Sequence, residues 1–147
     1  MPNKKIRLLF VDDDPVTCSV IKRNFDKTDY EVLVFESALL CLQEFKSAGA
    51  ELVVTDLRMP EMGGFELLSE LRSIDKKIPI LVMTGYSSVE NAVEAMKKGA
   101  TDFIKKPFDF EELKIIIDRN LESYRLKKEN QQLKKRIRSE GNKFGMV

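Results

Sequence analysis

The chain has 147 residues, of which 43% are hydrophobic and 33% charged, and its formal net charge is +1. This composition is typical of a globular domain of about 100 to 200 residues and excludes a chain that is disordered throughout. The sequence contains no histidine, which excludes Ser-His-Asp and Cys-His catalysis and the common zinc sites.

Five short apolar runs recur along the chain, and segments with helical apolar spacing separate them. The runs cover residues 6–11, 32–35, 52–55, 78–83 and 102–104. Strands that alternate with helices at this spacing form parallel sheets covered on both faces. The pattern therefore predicts an α/β fold, doubly wound, with a five-stranded parallel sheet and five helices.

Three capping patterns mark helix starts. Asp14 precedes Pro15, and Ser87 and Asp109 each stand three residues before a glutamate, which is the spacing of a capping box. A helix is therefore predicted to begin directly after each of these three capping residues.

The two cysteines, Cys18 and Cys41, have neither C-x-x-C nor metal-ligand spacing and stand in apolar surroundings. We expect reduced, buried thiols in a cytoplasmic protein. The basic start of the chain leads into three aspartates rather than an apolar h-region, and no stretch approaches the ~18 apolar residues of a membrane span. We therefore expect neither a signal peptide nor a membrane partner.

Polar side chains stand where the predicted strands end. Asp12 and Asp13 follow the first strand, Asp56 the third, Thr84 the fourth and Lys106 the fifth. The carboxyl ends of parallel strands share one edge of the sheet, where ligands bind. Neighbouring carboxylates raise one another's pKa unless a cation neutralises them, and Mg²⁺ prefers carboxylate, water and phosphate oxygens. The pattern predicts a magnesium site at which a carboxylate attacks a phosphoryl group.

Each of these residues also has an ordinary structural interpretation when it is taken alone. Asp14 is explained as a helix cap, Asp56 and Thr84 as turn residues, and Lys106 as a solvated surface charge. One cap does not explain three consecutive aspartates, and the joint placement of the set on four strand ends favours a functional site.

Four segments of the sequence, LLFVDDDP, VVTDLRMPEMGGFELL, ILVMTGYSS and GATDFIKKPF, resemble the receiver domain of two-component response regulators. The resemblance covers roughly residues 5–122. It implies a flavodoxin-like strand order, 2-1-3-4-5, and phosphorylation of an aspartate by a histidine kinase or phosphotransfer protein. It also implies a signalling domain rather than an enzyme.

The resemblance assigns a role to each acidic position of the predicted site. Asp56 resembles the phosphoacceptor. Asp12 and Asp13 resemble the acidic pair that holds Mg²⁺, together with Asp56 and the backbone carbonyl of Arg58.

The same resemblance implies a conformational switch. Thr84 and Lys106 resemble the hydroxyl and the lysine that bind the phosphoryl group. Phe103 occupies the position of the switch aromatic, where many relatives carry tyrosine, so any hydrogen bond made by that hydroxyl is absent here. Phosphorylation is expected to draw Thr84 inward and to repack the face formed by helix four, strand five and helix five.

Arg58 and Tyr86 correspond to the variable positions that tune how fast the acyl phosphate hydrolyses in this family. Both side chains are large. We expect them to shield the phosphoryl group and to slow its loss.

The end of the chain predicts a long last helix with a second apolar stripe. Leu126, Asn130, Leu133 and Ile137 follow one another at spacings of four, three and four. This spacing favours a short parallel coiled coil with Asn130 at a core a position, and hence a homodimer. We expect the homodimer to use the helix four, strand five and helix five face as well. A frayed, solvated helix is the alternative.

Charge is distributed unevenly between this helix and the rest of the chain. Residues 125–138 carry a net charge of +6, and subtracting it from the total of +1 leaves −5 elsewhere. We expect the basic run to be solvated surface rather than a nucleic-acid contact.

These patterns divide the chain into residues 1–122 as a receiver domain, 123–140 as a helical coiled-coil linker, and 141–147 as the start of a truncated following domain or a disordered tail. The tail resembles the linker of sigma-54-dependent transcription activators of the nitrogen-regulator type. The closing NKFGMV resembles the approach to their AAA+ ATPase domain.

Three alternatives stay open at this point. The domain could be a stand-alone regulator that docks on a target, or a pseudo-receiver kept for dimerisation. The motif Asp12-x-Asp14-x-Val16 also resembles the opening of haloacid-dehalogenase phosphatases, in which Asp12 would be the nucleophile. That family needs a further acidic pair at a strand end, whereas Glu111 and Glu112 fall at a predicted helix start.

Overall fold

The computed structural model of the chain describes residues 5–58, 62–85 and 89–143, without the side chains of 89 and 134–143. In these ranges five strands alternate with five helices. The strands are β1 (Ile6–Val11), β2 (Tyr30–Phe35), β3 (Leu52–Asp56), β4 (Ile80–Thr84) and β5 (Asp102–Lys105), and the helices are α1 (Pro15–Phe25), α2 (Ala38–Ala48), α3 (Gly64–Ile74), α4 (Val89–Lys97) and α5 (Phe110–Lys143). The sheet is parallel throughout, in the order β2-β1-β3-β4-β5. The predicted flavodoxin-like fold is confirmed.

Two apolar clusters, one on each face of the sheet, form the core. Alternate residues of β3 enter different clusters, so that Val53 packs with α2 and α3 while Leu52 and Val54 pack with α1 and α5. Every residue of β3 and β4 is buried. A strand covered on both faces is apolar at consecutive positions rather than at alternate ones, which explains the continuous runs in the sequence.

The predicted strand boundaries differ from the observed ones at β2 and β4. β4 begins at Ile80 rather than at residue 78. Pro79 has no N–H to donate to a neighbouring strand, although its carbonyl oxygen accepts the Val53 amide at 3.1 Å. β2 begins earlier than predicted, at Tyr30, because Glu31 at this exposed edge interrupts the apolar pattern.

Side chains cap two of the three predicted helix starts. The Asp14 carboxylate accepts the Val16 amide at 3.0 Å, and the Asp109 carboxylate accepts the Glu112 amide at 2.8 Å. Each cap satisfies a backbone donor that the helix itself leaves free. The third predicted cap, Ser87, lies outside the described residues.

Helix α5 has 34 residues and is longer than one sheet face requires. Its first half buries Leu113, Ile117 and Leu121 against the sheet, as the apolar spacing predicts. The helix continues through Gly141 to Lys143, since a glycine weakens a helix by only about 1 kcal/mol relative to alanine.

The second apolar stripe of α5 has no partner among the described residues. Leu126, Asn130 and Leu133 are exposed, and the side chain of Ile137 lies outside the described set. Two contacts tie this half of α5 to the domain: Arg125 pairs with Glu51 at 3.3 Å, and the ammonium of Lys77 donates to Gln131 at 2.7 Å. The predicted coiled coil remains a prediction.

Two further expectations concern the cysteines and the membrane. Cys18 and Cys41 are both free and buried, as predicted. Burial raises the pKa of the Cys18 thiol to about 11 and that of the Cys41 thiol to about 12. Among the described residues, we find no helix whose length and apolar character would let it cross a membrane.

Candidate functional site

The predicted site residues converge at the carboxyl edge of the sheet. The strand register places Val11 opposite Thr55, Asp56 opposite Met83 and Thr84 opposite Lys105. These strands therefore end at nearly the same level, and the residues that follow them face a common space above the sheet. This is the edge at which open parallel sheets bind ligands.

Lys106 bridges two buried carboxylates at this edge. Its ammonium lies 2.7 Å from Asp12 Oδ2 and 2.8 Å from Asp56 Oδ2, and these two side chains are only 1% and 12% exposed. Burial by itself lowers the pKa of Lys106. The hydrogen bonds to Asp12 and Asp56 and the negative charges of these residues raise the pKa by more than burial lowers it, so the pKa of Lys106 lies above the usual lysine value. The lysine is therefore a permanent cation that holds the two acids together.

Backbone amides hold the other oxygen of each carboxylate. The amide of Asp14 donates to Asp12 Oδ1 at 2.9 Å, and the amide of Arg58 donates to Asp56 Oδ1 at 3.1 Å. Asp56 is thus an oriented carboxylate with a cation on one oxygen and an amide on the other. The Arg58 carbonyl as a metal ligand stays a prediction.

Asp12, Asp13 and Asp56 form a cluster in which one carboxylate oxygen from each lies within 4.8 Å of the others. Partial burial, followed by the negative charges of Asp12 and Asp56, raises the pKa of Asp13 above its usual value. Three carboxylates against one lysine leave an excess of negative charge. A hard divalent cation relieves such an excess, and the all-oxygen donor set suits Mg²⁺.

Thr84 and Phe103 lie on neighbouring strands of the same edge. Thr84 is buried at the end of β4, and its carbonyl oxygen accepts the amide of Lys106 at 2.7 Å. Phe103 is 42% exposed, so the ring faces outward. Two apolar side chains of α4, Val93 and Met96, and Ile115 of α5 are exposed as well. The face predicted to change on switching therefore carries exposed apolar side chains on all three of its elements.

Gly64 is the first residue of α3 and packs against the end of β3. A Cβ at this position would lie 2.3 Å from the carbonyl oxygen of Asp56 and 2.6 Å from the Cα of Leu57. The adjacent glycines of the MGGF segment were the available signal. Gly64 lets the start of α3 approach the backbone that carries Asp56.

A groove that the sequence did not predict lies beside the site. A cavity of about 440 Å³ lies between α1 and the segment after β5, and Lys106 forms part of its lining. Two apolar residues of α1, Val16 and Val20, contribute to it and are exposed, Val16 at 68%. Exposed valines at this spacing on a helix are the only advance signal, and surface valines are common.

Two predictions about individual residues have different outcomes. Tyr86 lies outside the described residues, so its predicted position near the phosphoryl group is untested. Glu111 and Glu112 lie in the first turn of α5, away from a strand end. The second acidic pair that a haloacid-dehalogenase phosphatase requires is thus not formed by these two residues.

Comparison with known protein families gives a match over most of the chain. The family model described as the response regulator receiver domain matches residues 8–118. This span begins in β1 and ends within α5, so it includes every strand end that contributes to the site.

Individual relatives agree with this match. The chain is 37% identical over 126 residues to the transcriptional regulatory protein ZraR of Klebsiella oxytoca, covering 86% of this chain and 28% of ZraR. It is 37% identical over 123 residues to the regulatory protein AtoC of Escherichia coli, covering 84% of this chain and 27% of AtoC. The crystal structure of NtrX from Brucella abortus superposes with a TM-score of 0.83 at 27% identity, covering 88% of this chain and 29% of NtrX. The chain therefore spans less than a third of the length of each of these proteins.

Proposed function

The chain belongs to the response regulator receiver domain family, and from this we propose that it is the phosphoacceptor of a two-component system, with Asp56 as the acceptor. The observation that carries the proposal is the Lys106 ammonium between Asp12 and Asp56. This arrangement leaves the Asp56 carboxylate oriented and adjacent to a cation. Those are the properties of a carboxylate nucleophile in phosphoryl transfer.

In the proposed reaction a carboxylate oxygen of Asp56 forms a bond to the phosphorus of the donor. The bond between phosphorus and the donor nitrogen breaks when the donor is a phosphohistidine, and the electron pair stays on the imidazole. An acyl phosphate forms on Asp56. The Lys106 ammonium, 2.8 Å from Asp56 Oδ2, neutralises a phosphoryl oxygen, and the Thr84 hydroxyl donates to another.

Asp12, Asp13 and Asp56 are the side chains that would hold Mg²⁺, together with the backbone carbonyl of Arg58. When bound, the ion supplies positive charge that offsets the carboxylates and the phosphoryl oxygens. Asp12 is fixed for this role by the amide of Asp14 at 2.9 Å.

The groove lined by Val16 and Val20 is the surface that we propose for the histidine kinase or phosphotransfer protein. A protein donor must bring its phosphohistidine to Asp56, so it has to cover the surface around Lys106. The groove includes Lys106 and presents uncovered apolar side chains on one side. Burying apolar surface of this kind supplies binding free energy of about 25 cal/mol per Å².

The Val20→Asp variant distinguishes phosphorylation by a protein donor from phosphorylation by a small molecule. The protein donor is the kinase that labels the wild-type chain fastest. We expect its phosphotransfer to the variant to be about tenfold slower, because a charge in the groove must be desolvated on docking. Labelling by acetyl phosphate should keep its wild-type rate. Leu40→Asp, which places the same charge on an exposed leucine of α2, is the control. Equal rates for both variants with the kinase would contradict the docking surface.

The phosphoryl group is proposed to switch Thr84 and Phe103. Phosphorylation adds about −1.5 to −2 charges, which draws the Thr84 hydroxyl toward Asp56 and frees space behind it. Phe103 has its ring outside in this structure and would move inward to fill that space. Such a shift changes the exposed apolar face of α4, β5 and α5, and a change in population suffices for signalling.

Arg58 and Tyr86 are proposed to slow the loss of the phosphoryl group by keeping water from it. Arg58 is exposed at the edge of the site, where its side chain can cover the phosphoryl group. In the Arg58→Ala, Tyr86→Ala variant we expect hydrolysis of the acyl phosphate to be faster by about threefold or more. The decay of labelled protein after removal of the donor measures this rate, and an unchanged lifetime would refute the shielding role.

The chain is proposed to regulate a following domain in a longer cytoplasmic protein. It spans only 28% of ZraR and 27% of AtoC, which are named as regulatory proteins. We propose the context of a sigma-54-dependent activator, in which the receiver and its linker control an AAA+ ATPase domain. A stand-alone regulator that docks on a target remains the alternative, and sequencing the gene past residue 147 distinguishes the two.

The exposed stripe of Leu126, Asn130 and Leu133 is proposed as the homodimer seam. Leu133→Asp should raise the dissociation constant of the dimer at least about tenfold, because a charge in an apolar seam is costly. Gln132→Asp, at the next position and exposed, should leave it unchanged. Sedimentation equilibrium measures both, with and without beryllofluoride and Mg²⁺. A wild-type chain that stays monomeric under both conditions would contradict the seam.

A further inference from the structure

A basic pocket lies at the amino edge of the sheet, opposite the Asp56 site. Its volume is about 380 Å³, within the range of ligand sites. It lies between the end of α3, the turn before β4, the residue before β5 and the second half of α5. Five basic residues line it: Arg72, Lys76, Lys77, Lys127 and Lys128. Its other lining residues, among those that the structure describes, are polar or aromatic, and none of them is acidic.

Neutral hydrogen-bond acceptors hold two of the five cations of the basic pocket. Arg72 donates to the carbonyl oxygens of Gly99 and Asp75 and to the Thr101 hydroxyl, at 2.8, 3.1 and 3.2 Å. Lys77 donates to the amide oxygen of Gln131 at 2.7 Å.

Lys128 is held in a different way, with its ammonium 5.3 Å from the centre of the Tyr124 ring. Within the described part of the chain, none of the five cations forms an ion pair with a carboxylate.

Several basic residues elsewhere in the chain are paired with acids. Arg7, Lys98 and Arg125 each pair with a glutamate at 2.6 to 3.6 Å. Five like charges around one concavity repel one another. The negative charge of Asp75 acts on Arg72, but no carboxylate of the described residues pairs with any of the five cations. An anion with several charges would remove this repulsion and gain charge-assisted hydrogen bonds from lysine and arginine.

We propose that the basic pocket binds a chain of phosphate groups, either an inorganic polyphosphate or the triphosphate of a nucleotide. A single phosphate would leave most of the cations unsatisfied, whereas linked phosphates reach several of them. Bound in this way, the anion also fastens the linker half of α5 to the domain. Arg72, Lys76 and Lys77 belong to the domain body, while Lys127 and Lys128 belong to α5.

Titration calorimetry of the full chain with tripolyphosphate and with ATP tests the binding. EDTA is present and no phosphodonor is added, so the result does not depend on phosphorylation of Asp56. We expect saturable binding that weakens as the salt concentration rises. Equal affinities would show that the phosphates alone are recognised, and tighter binding of ATP would show that the nucleoside contributes. Both results support the proposal.

The variant Lys76→Gln, Lys127→Gln removes one cation from each side of the basic pocket. We expect it to bind tripolyphosphate at least about tenfold more weakly, since hydrogen bonds to charged groups are the stronger kind. Lys22→Gln, Lys46→Gln loses the same charge at exposed lysines of α1 and α2 and should stay within about twofold of the wild type. Equal weakening in both variants would overturn the proposal. So would an absence of saturable binding, or preferential binding of duplex DNA with the same dependence on Lys76 and Lys127.

Hydrogen exchange tests the fastening of α5. Tripolyphosphate should slow amide exchange over residues 123–133 in the wild type and leave it unchanged in the Lys76→Gln, Lys127→Gln variant. Binding without any change in exchange would refute the fastening while leaving the anion site in place.

Discussion

The Gly64→Ala variant should lose about 3 kcal/mol of unfolding free energy, because the new methyl group collides with backbone rather than with a movable side chain. The added Cβ would lie 2.3 Å from the Asp56 carbonyl oxygen and 2.6 Å from the Leu57 Cα. The start of α3 would have to move away from β3, and the backbone that carries the acceptor would move as well. Urea unfolding measures the loss, and slower labelling by acetyl phosphate should accompany it.

Gly63→Ala is the matched control one residue earlier. A Cβ there would meet only the Leu57 carbonyl oxygen at 3.7 Å, an ordinary contact, and φ of −81° suits alanine. We expect stability within about 1 kcal/mol of the wild type. Equal losses for the two variants would show that close packing of α3 on the acceptor strand is not what requires Gly64.

Lys106→Ala should destabilise the metal-free protein by about 2 kcal/mol, because it leaves Asp12 and Asp56 adjacent and buried with no cation between them. The two carboxylates are 1% and 12% exposed, and the lysine side chain is 29% exposed, which moderates the loss. Urea unfolding in EDTA measures it. Addition of Mg²⁺ should stabilise the variant more than the wild type. In the variant the ion binds carboxylates of the folded state that have no lysine beside them.

Lys105→Ala is the control for this effect. Lys105 is the last residue of β5, directly before Lys106, and is exposed, and successive residues of an extended chain point to opposite sides. Its loss should change stability by less than about 0.5 kcal/mol. If Lys105→Ala and Lys106→Ala cost the same in EDTA, the bridge between Asp12 and Asp56 would not be a source of stability.

The fold was predictable because apolar runs of β1 and β3 end in aspartates. An apolar strand followed by Asp12 or Asp56 marks both the strand and its carboxyl end, so one pattern gives the sheet and the edge that carries the site. Where an apolar run extended beyond the residues that form backbone hydrogen bonds to a neighbouring strand, the predicted strand boundary was wrong. Ile78 is fully buried and apolar, yet β4 begins only after Pro79, because proline cannot donate to the ladder.

The site was predictable in its composition but not in its contacts. The residue types at the strand ends indicate carboxylate, hydroxyl and ammonium groups, while the distances depend on strand register. That Lys106 contacts both Asp12 and Asp56, rather than one of them, follows from the level at which β1, β3 and β5 end. The role of Gly64 depends on how closely α3 approaches β3, which local sequence does not encode.

The basic pocket could not be predicted from the sequence, because it also depends on how the helices pack against the sheet. Lys127 and Lys128 belong to the basic run that the sequence predicts to be solvated, and Arg72 stands more than 50 residues earlier. Only the packing of α5 across the amino edge of the sheet brings these charges together.

Identification of the phosphorylated residue tests the central proposal most directly. The chain is treated with acetyl phosphate and Mg²⁺, the acyl phosphate is reduced with borohydride, and mass spectrometry of peptides locates the modified aspartate. We expect modification of Asp56, and none in EDTA or in the Asp56→Asn variant. Modification of Asp12 instead, or equal labelling of the Asp56→Asn variant, would contradict the assignment of Asp56 as the phosphoacceptor.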